Sequence, residues 1–572
     1  MAPAPDREYQ ALAKRKQVER DGRIPIEWWL KERPPATLAN VLDIPKTSGI
    51  LTPAELHITE TVDATALLEQ LLSGTLKSAD VVRAFCKRAA IAQQVTNCLT
   101  EIFFDNAISR AEELDALFVK TGRPVGPLHG LPISIKDTFR VKGFDATAGY
   151  STFCFQPAAT NSPLVDLLLK AGAVLYCKTN IPLTLMALDS HNNIFGRTLN
   201  PANRLLTPGG SSGGEGALLA MRGSILGVGT DVGGSIRIPA MCNGLYGVKP
   251  SHGRVPYANQ SGGSLPGADH LSVRASAGPL AHSLRDCELF LHTVNNLKAW
   301  EHDPEVVPLP WTPFHTSRRP LRIGVVRTDG VTKPLPIIDH FLSETAARLE
   351  KHGAVEIIEL DLSHILVKCA SLINKIFSID GAETIFDIME ETGEPLSPWL
   401  QTRLKRRKRV SHETVRDLQG ARNKLQTELL QVWSSTGGFW SSPSAGPEDR
   451  LDALIAPVAP HPVPEVDRWN TASYTASFVL LDYAAATLPV RKVVESDLAG
   501  EIDATVKPLS GWDKYNRTLW TDVDRKVYLG SPLCLQVITP RLHEEQLLHV
   551  MSVLDSVLKG HSGTGVGKAA KL

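Results

Sequence analysis

Two short segments rich in glycine and serine contain the residues best suited to chemistry. They read PGGSSGGEG at 208–216 and TDVGGSIRIP at 230–239. Glycine loses more conformational entropy on folding than any other residue, so such clusters occur where the backbone needs φ > 0 or closely approaches another group. In each segment a serine follows glycine, Ser211 in the first and Ser235 in the second. Three kinds of site use glycine-rich segments of this type.

Phosphate binding is the first kind of site. A P-loop requires glycine, four further residues and then Gly-Lys-Ser/Thr, and neither segment contains that lysine. The stretch GVGTDVG also lacks the GxGxxG spacing of a dinucleotide site. The sequence therefore favours neither phosphate site.

The nucleophile elbow of an α/β-hydrolase is the second kind of site. GGSSG at 209–213 satisfies the G-x-S-x-G pattern with Ser211 as the nucleophile. An elbow, however, follows directly on a buried strand, and the residues upstream, NPANRLLTP, are typical of a loop. The elbow interpretation also gives no role to Ser235.

The third kind of site is a serine nucleophile that uses both segments. Backbone N–H groups of Gly233 and Gly234, next to Ser235, have the arrangement of an anion-binding nest that could face a developing oxyanion. Ser211 could transfer a proton, and a base is then needed to accept it.

Lys136 is the candidate base. The nearest histidines in the sequence are His191 upstream and His252 downstream, and neither adjoins the two segments. Lys136 lies in ISIKDTF, a predicted strand that follows a Gly/Pro-rich turn. A lysine acts as a base near pH 7 only if burial lowers its pKa from about 10.4. The neighbouring Asp137 need not oppose this, because successive side chains of a strand point to opposite faces.

The segments GLPISIKD, PGGSSGGEGA and GTDVGGSIRIP together resemble the amidase signature family in both composition and spacing. The resemblance extends over roughly residues 60–555. Within the family it is greatest to the fungal acetamidase type, through AFCKRAAIAQQ, RPVGPLHGLPIS, NNIFGRTLNP and SHGRVPYA. The chain is also similar to fatty acid amide hydrolases, but it lacks their N-terminal membrane helix.

The resemblance implies a catalytic triad. It makes Ser235 the nucleophile that forms an acyl-enzyme, and Ser211 the bridging serine, joined to Gly210 by a cis peptide bond. Lys136 becomes the base. The implied reaction is hydrolysis of a carboxamide to a carboxylic acid and ammonia or an amine, most like EC 3.5.1.4, with no metal or cofactor.

The resemblance also implies a substrate site. The backbone N–H groups of Val232, Gly233, Gly234 and Ser235 would form the oxyanion hole, and Leu185 would line the substrate pocket.

Three further residues are predicted to support these turns. By the resemblance, Asp231 and Arg237 would brace the second turn, and Ser212 is expected to help cap the helix that follows the first.

Two other functions remain open at this stage. One is the glutamine-hydrolysing subunit of a tRNA-dependent amidotransferase, which shares this scaffold and triad and would pass ammonia to a partner. The other is a non-catalytic scaffold. The sequence does not specify whether the amide is short aliphatic, aryl or fatty.

Strands alternate with helices along most of the chain. Six stretches predict strands: ISIKDTF, AVLYCKTN, SILGVGTD, LRIGVVR, VEIIEL and DALIAPVAP. Between them, segments such as SPLVDLLLKAGA and LPIIDHFLSETAARLEKHG have helical periodicity. We therefore expect an α/β fold with a largely parallel sheet covered by helices on both faces. The resemblance implies the amidase signature fold, with a large, mostly parallel or mixed central sheet.

The predicted organisation has three parts. Residues 1–60 form a helical lead-in, residues 61–558 the catalytic domain, and residues 559–572 a disordered tail. Within the catalytic domain, the Gly/Ser-rich stretch 434–449 is expected to be an insertion loop.

Composition limits the partners and the location. The 61 basic residues balance 61 acidic ones, so no net charge attracts the protein to nucleic acid or lipid, and a small-molecule amide is the expected partner. The basic run RLKRRKRV at 403–410 could indicate RNA binding, but a solvated helix face is favoured. Eight cysteines lack metal-ligand spacing, and neither a signal peptide nor a membrane span is apparent. We expect a soluble cytoplasmic protein, compatible with a homodimer. A peroxisomal location is the alternative, because Ala570-Lys571-Leu572 resembles a peroxisomal signal.

Overall fold

Thirteen strands and eighteen α-helices form the regular structure of the described residues. The computed structural model describes residues 8–263, 265, 267–314, 320–435, 451–469 and 471–560. The strands are β1 Leu99–Ile102, β2 Pro132–Lys136, β3 Val174–Thr179, β4 His191–Asn192, β5 Gly196–Arg197, β6 Leu226–Asp231, β7 Tyr246–Lys249, β8 Ser276–Ala281, β9 Leu321–Val325, β10 Val355–Glu359, β11 Ala453–Pro457, β12 Ala484–Lys492 and β13 Pro532–Thr539.

The helices vary from single turns to 24 residues. They are α1 Glu8–Gly22, α2 Ile44–Thr47, α3 Pro53–Thr59, α4 Ala64–Leu72, α5 Ser78–Thr96, α6 Phe104–Thr121, α7 Pro163–Lys170, α8 Gly213–Ala220, α9 Arg237–Asn243, α10 Leu284–Asn296, α11 Pro336–His352, α12 Ser363–Ile376, α13 Glu383–Glu390, α14 Pro398–Gln401, α15 His412–Ser435, α16 Ser473–Leu480, α17 Gly511–Thr521 and α18 Glu544–Lys559. Within the described residues, no helix is both long enough and apolar enough to span a membrane.

Eleven strands form one mixed sheet, in the order β1-β3-β2-β6-β8-β7-β12-β13-β11-β9-β10. Parallel pairing is confined to two groups, β3-β2-β6 and β11-β9-β10. The remaining neighbours pair antiparallel. The predicted α/β fold class is confirmed, but the sheet is less parallel than the alternation of elements indicated, because β1, β7, β8, β12 and β13 were not recognised in the sequence.

Helices cover both faces of this sheet, and strand β2 shows how the two faces differ. Ile133 and Ile135 point into the large apolar core that includes residues of α4, α7, α10, α11 and α18. Ser134 and Lys136 alternate with them and therefore point to the opposite face, which α8 and α9 approach. All four side chains are buried. The pleat of one strand thus places a lysine beneath helices without exposing it.

The N-terminal segment packs against the edge of the sheet. Trp28 and Val41 are buried in an apolar cluster with residues of α5 and α6, and the guanidinium of Arg20 donates to the carbonyl of Leu99 in β1. Residues 1–7 lie outside the described residues.

Two predicted loop boundaries differ from the structure. Helix α15 continues to Ser435, so it includes the first residues of the predicted insertion at 434–449, and the rest of that segment lies outside the described residues. Helix α18 ends at Lys559, so the first residue of the predicted tail is helical because it completes the last turn. Residues 561–572 also lie outside the described residues.

The basic run at 403–410 faces an acidic helix. Arg406 forms ion pairs with Asp387 and Glu390 of α13, and Arg409 pairs with Glu383 of the same helix. This run precedes α15 and is largely exposed, so part of its charge is balanced within the chain.

Candidate active site

Lys136 is the last residue of β2, and its side chain is fully buried. Its amine donates hydrogen bonds to the hydroxyl of Ser211, with 2.7 Å between Nζ and Oγ, and to the hydroxyl of Thr230 in β6 at 2.8 Å. Both acceptors are uncharged. The amine is therefore held out of water, and none of the described carboxylates is in direct contact with it.

Burial lowers the pKa of Lys136 to about 7, because removal from water penalises the charged form. The charges of Asp231, Glu215 and Asp137 oppose this shift. Asp137 accepts hydrogen bonds from Thr100, Thr147 and Ala148, so its carboxylate is engaged away from the lysine. Near neutral pH a substantial fraction of the amine is consequently uncharged and able to accept a proton.

The first glycine-rich turn brings Ser211 to this amine. The peptide bond between Gly210 and Ser211 is cis. A side chain on Gly210 would lie 2.6 Å from the backbone of Asp189 and 2.8 Å from the carbonyl oxygen of Ala187, so only glycine fits between the turn and this neighbouring segment. Ser211 is almost completely buried.

The second turn is braced by an internal ion pair. The carboxylate of Asp231 accepts hydrogen bonds from the backbone N–H of Gly234 at 2.6 Å and of Ile236 at 3.2 Å. Arg237, which is also fully buried, donates from Nε to the same carboxylate at 3.0 Å. Burial alone would raise the pKa of Asp231, but the charge and hydrogen bonds of Arg237 lower it below its usual range. The carboxylate therefore remains charged and holds the turn closed around it.

Arg237 also anchors this turn to distant parts of the chain. Its guanidinium donates to the carbonyl of Thr475 in α16 at 3.0 Å and to the side-chain amide oxygen of Gln536 in β13. The hydroxyl of Thr475 in turn donates to the carbonyl of Gly233 at 2.6 Å. Helix α16 thus fixes the carbonyl side of the turn.

The backbone N–H of Gly234 was expected to belong to the oxyanion hole, but the structure uses it differently. That N–H donates to Asp231, because the carboxylate curls back beneath the turn. Among the described residues, none accepts a hydrogen bond from the backbone N–H of Val232, Gly233 or Ser235. These three donors remain for a developing oxyanion.

A backbone hydrogen bond joins the two turns, since the N–H of Ser212 donates to the carbonyl of Ser235 at 3.2 Å. Ser212 occupies the N-cap position of α8 but makes no side-chain capping bond. Its hydroxyl instead faces the backbone of Thr230 at 3.5 Å, because α8 lies directly against β6. The structure therefore brings Lys136, Ser211 and the Ser235 turn together.

Leu185 precedes the segment that contacts the first turn, and Phe377 lies near the second turn. Leu185 ends a short 3₁₀ turn and has a left-handed backbone, with φ of 63°. It precedes the segment of Ala187 and Asp189 that packs on Gly210. On the other side, a methyl group placed on Gly233 would lie 3.9 Å from both Phe377 and Ala476. Apolar side chains therefore border the turn that carries the free N–H groups.

Several residues of the site were missed by sequence reasoning. Glu215 lies within the PGGSSGGEG segment, one helical turn after Ser211, and Thr230 opens the second segment, so both had a local signal. Thr475, Gln536 and Phe377 lie more than 100 residues from either turn, and no spacing in the sequence connects them to it.

A comparison with protein families identifies the scaffold. The family profile described as Amidase matches residues 80–548. The chain belongs to the amidase signature family. The predicted resemblance is therefore confirmed.

Two fungal relatives and one solved structure agree with this assignment. An acetamidase of Aspergillus oryzae is 38% identical over 568 residues, which cover 97% of this chain and 100% of that protein. An acetamidase of Emericella nidulans is 38% identical over 558 residues, covering 96% and 98%. The structure of a fatty acid amide hydrolase superposes with a TM-score of 0.85 at 29% identity, covering 97% of each chain.

The substitution Gly234→Ala tests the geometry of the turn that precedes Ser235. Gly234 has φ of +135°, and a Cβ there would lie 2.4 Å from the hydroxyl oxygen of Thr475. The substitution should displace Thr475 and the N–H groups beside it, and slow labelling by a fluorophosphonate about 100-fold, the effect of losing an oxyanion donor.

Gly262→Ala is the matched control, since a Cβ at Gly262 has no neighbour within 4 Å. Thermal unfolding of both variants separates a displaced turn from an unfolded protein. Native-like labelling of folded Gly234→Ala would contradict the geometry.

Proposed function

We propose that the chain is an amidase of the acetamidase type, which hydrolyses a short aliphatic carboxamide to a carboxylic acid and ammonia through an acyl-Ser235 intermediate. The observation that carries the proposal is the buried contact of 2.7 Å between Nζ of Lys136 and Oγ of Ser211. An uncharged lysine amine in contact with a hydroxyl can act as a general base for a serine nucleophile. Family membership and the acetamidase relatives support amide hydrolysis as the reaction.

Acylation follows from the order of these groups. Neutral Lys136 takes the proton of Ser211 while Ser211 takes the proton of Ser235, and the Ser235 oxygen attacks the amide carbonyl. The N–H groups of Val232, Gly233 and Ser235 stabilise the oxyanion that develops. The same path returns a proton to the amide nitrogen, because an amine leaves only when protonated.

Deacylation uses the same proton path, through Ser211 and Lys136, a second time. A water molecule gives a proton to the base and attacks the acyl-Ser235 ester, and the carboxylic acid is released as Ser235 regains its proton. The products are one carboxylic acid and ammonia, and the enzyme returns to its initial protonation state.

The surroundings of Gly233 support a small acyl group. Phe377 and Ala476 both lie within van der Waals distance of a methyl group placed there, and Val232 packs against the same apolar cluster. A carbonyl held by the N–H of Gly233 would therefore have its acyl chain close to the ring of Phe377. These apolar neighbours fit a short acyl chain, and the names of the two acetamidase relatives support the same substrate class.

Removal of the nucleophile tests the reaction directly. Ser235→Ala should lower acetamide hydrolysis by about 10³-fold or more and abolish fluorophosphonate labelling, because the proposed mechanism forms the acyl-enzyme on Ser235. Ammonia release and mass spectrometry of the labelled peptide measure the two effects.

Ser477→Ala is the control for loss of a buried hydroxyl. Ser477 is buried, and its hydroxyl has no hydrogen-bond partner among the described residues, so this variant should hydrolyse acetamide as the native protein does. Native-level turnover by folded Ser235→Ala would refute the assignment of the nucleophile.

The pH dependence tests the base. Lys136 is active when uncharged and has a pKa of about 7, so kcat/KM should rise with pH through about 7 and fall tenfold per pH unit well below it. A profile measured with acetamide from pH 5 to pH 9 (a range of about two units on each side of that pKa) shows this limb. Activity that still rises tenfold per pH unit at pH 9, as expected for an exposed lysine with a pKa of about 10.4, would contradict a buried base.

Enlarging the acyl side of the site tests the proposed substrate class. Phe377→Ala should raise kcat/KM for hexanamide relative to acetamide by roughly tenfold or more, the effect of one or two methylene groups in an apolar pocket. Ammonia release is measured across amides from formamide to oleamide, with glutamine included to test the amidotransferase alternative.

Phe386→Ala serves as the control, because Phe386 lies on α13 and stacks on Arg406. Unchanged selectivity in Phe377→Ala, or a native preference for glutamine or oleamide over acetamide, would contradict the proposed substrate class.

A further inference from the structure

The carboxylate of Glu215 is fully buried beside the active site, in the first turn of α8. It accepts hydrogen bonds from the hydroxyl of Ser134 at 2.6 Å and from the hydroxyl of Thr179 at 2.9 Å. Both donors are uncharged. Among the described residues, no lysine or arginine forms an ion pair with this carboxylate.

These contacts join the three elements that position the proposed base and its serine. Ser134 precedes Lys136 by two residues on β2, so both side chains lie on the same face of the strand. Thr179 of β3 is the register partner of Lys136. Glu215 itself lies in the first turn of α8, four residues after Ser211. One side chain therefore links the strand of the lysine, its neighbouring strand and the helix after the serine.

The sheet is shaped to accept this carboxylate. Gly227 of β6 is the register partner of Ser134. A Cβ on Gly227 would lie 2.1 Å from a carboxylate oxygen of Glu215. Any other residue at 227 would therefore displace the carboxylate, so the space for it depends on this glycine.

Glu215 differs from the other carboxylates that act on Lys136. Asp231 on β6 is neutralised by Arg237. Asp137, which follows β2, accepts three hydrogen bonds and lies 3.8 Å from the amine of Lys178. For Glu215, the charge that acts on the carboxylate is that of Lys136 itself. The negative charge of Glu215 is thus the one that is not compensated by another cation.

We propose that Glu215 is a positioning residue of this active site, which aligns Lys136 with Ser211 and supplies a buried negative charge that, together with that of Asp231, stabilises Lys136 when it becomes protonated. This inference rests on the proposed function, in which Lys136 gains a proton in each half of the reaction. Burial alone makes a lysine a weak base, because the dry site disfavours the ammonium that must form. A charge that favours this ammonium makes Lys136 a stronger base while a substantial fraction of the amine remains uncharged at neutral pH.

The charged and titratable groups around this pair determine the sign of the effect. Lys136 faces Asp231 from β6, Glu215 from α8 and Asp137 after its own strand. Glu215 faces Lys136, and its neighbours Cys98 and Cys177 are buried thiols whose pKa burial raises. Burial raises the pKa of Glu215 to about 7, while the hydroxyls of Ser134 and Thr179 and the charge of Lys136 oppose that rise. Removing the carboxylate charge must therefore lower the pKa of Lys136.

The test is the isosteric variant Glu215→Gln in the full-length protein, with acetamide as substrate. An amide can keep both hydrogen bonds, because one hydroxyl can donate to its oxygen and the other can accept from its nitrogen. The acidic limb of kcat/KM should move to lower pH by up to about 1 unit, less than a fully ionised neighbour would cause, because Glu215 has a pKa of about 7 and is itself only partly charged over this limb. The kcat at the plateau should fall by about threefold to tenfold, because the base is weaker.

Ser134→Ala provides a second variant in case Glu215→Gln does not fold. Loss of this hydroxyl removes a donor that favours the ionised carboxylate of Glu215. The acidic limb of kcat/KM should therefore also move to lower pH, by a smaller amount than in Glu215→Gln.

Glu394→Gln is the matched control. Glu394 is also a buried carboxylate whose partners are uncharged, Ser151 and Asn193, and it is not among the charges that act on Lys136. The acidic limb of kcat/KM in Glu394→Gln should coincide with that of the native protein.

An unmoved limb in folded Glu215→Gln, or one moved to higher pH, overturns the inference whether or not the plateau falls, because a merely structural role lowers kcat without moving the limb. Fluorophosphonate labelling separates this failure from failure of the proposed function. If the native protein is labelled at Ser235 and has a limb near pH 7, the proposed function holds and only the role of Glu215 is refuted. If the native protein is not labelled, the proposed function itself fails.

Discussion

The contact between the amine of Lys136 and the hydroxyl of Ser211 depends on keeping water away from a lysine. A lysine in water is charged at neutral pH and cannot accept a proton. In this protein the amine is fully buried, and burial lowers its pKa to about 7. The sheet that is covered on both faces provides this burial, because the pleat of β2 directs Ile133 and Ile135 into one core and Lys136 beneath the helices of the other face.

Burial alone does not make Lys136 a useful base, because the charges around the amine also affect its pKa. A carboxylate in direct contact with the amine would keep it protonated, and none is present among the described residues within hydrogen-bond distance of Lys136. Arg237 neutralises Asp231 and uses the same ion pair to close the turn before Ser235. One salt bridge therefore both shapes the nucleophile's turn and limits the field at the base.

The sequence predicted the fold class but only part of the sheet. The six recognised strands are the ones that pair in parallel, β2, β3 and β6 in one group and β9, β10 and β11 in the other. Most of these strands are buried on both faces and begin with a short apolar run, as in the VLYC of β3, whereas β10 at the edge of the sheet is half exposed. The strands that were missed pair antiparallel, and two of them, SAGPLA and AAATLPVRK, contain alanine, glycine and proline, which have weak intrinsic β propensity.

The two glycine-rich turns, their serines and Lys136 were evident from the sequence by itself, because each chemical requirement is local: glycine permits a close approach of backbone, and a strand buries alternate residues. The roles of the remaining groups depend on distance in space. Thr475, Gln536 and Phe377 reach the second turn from elements far along the chain. Glu215 is near Ser211 in sequence, but its partners Ser134 and Thr179 come from two other strands. Only the tertiary structure determines such contacts, since the packing of α8 and α16 on the sheet decides which side chains share a dry interior.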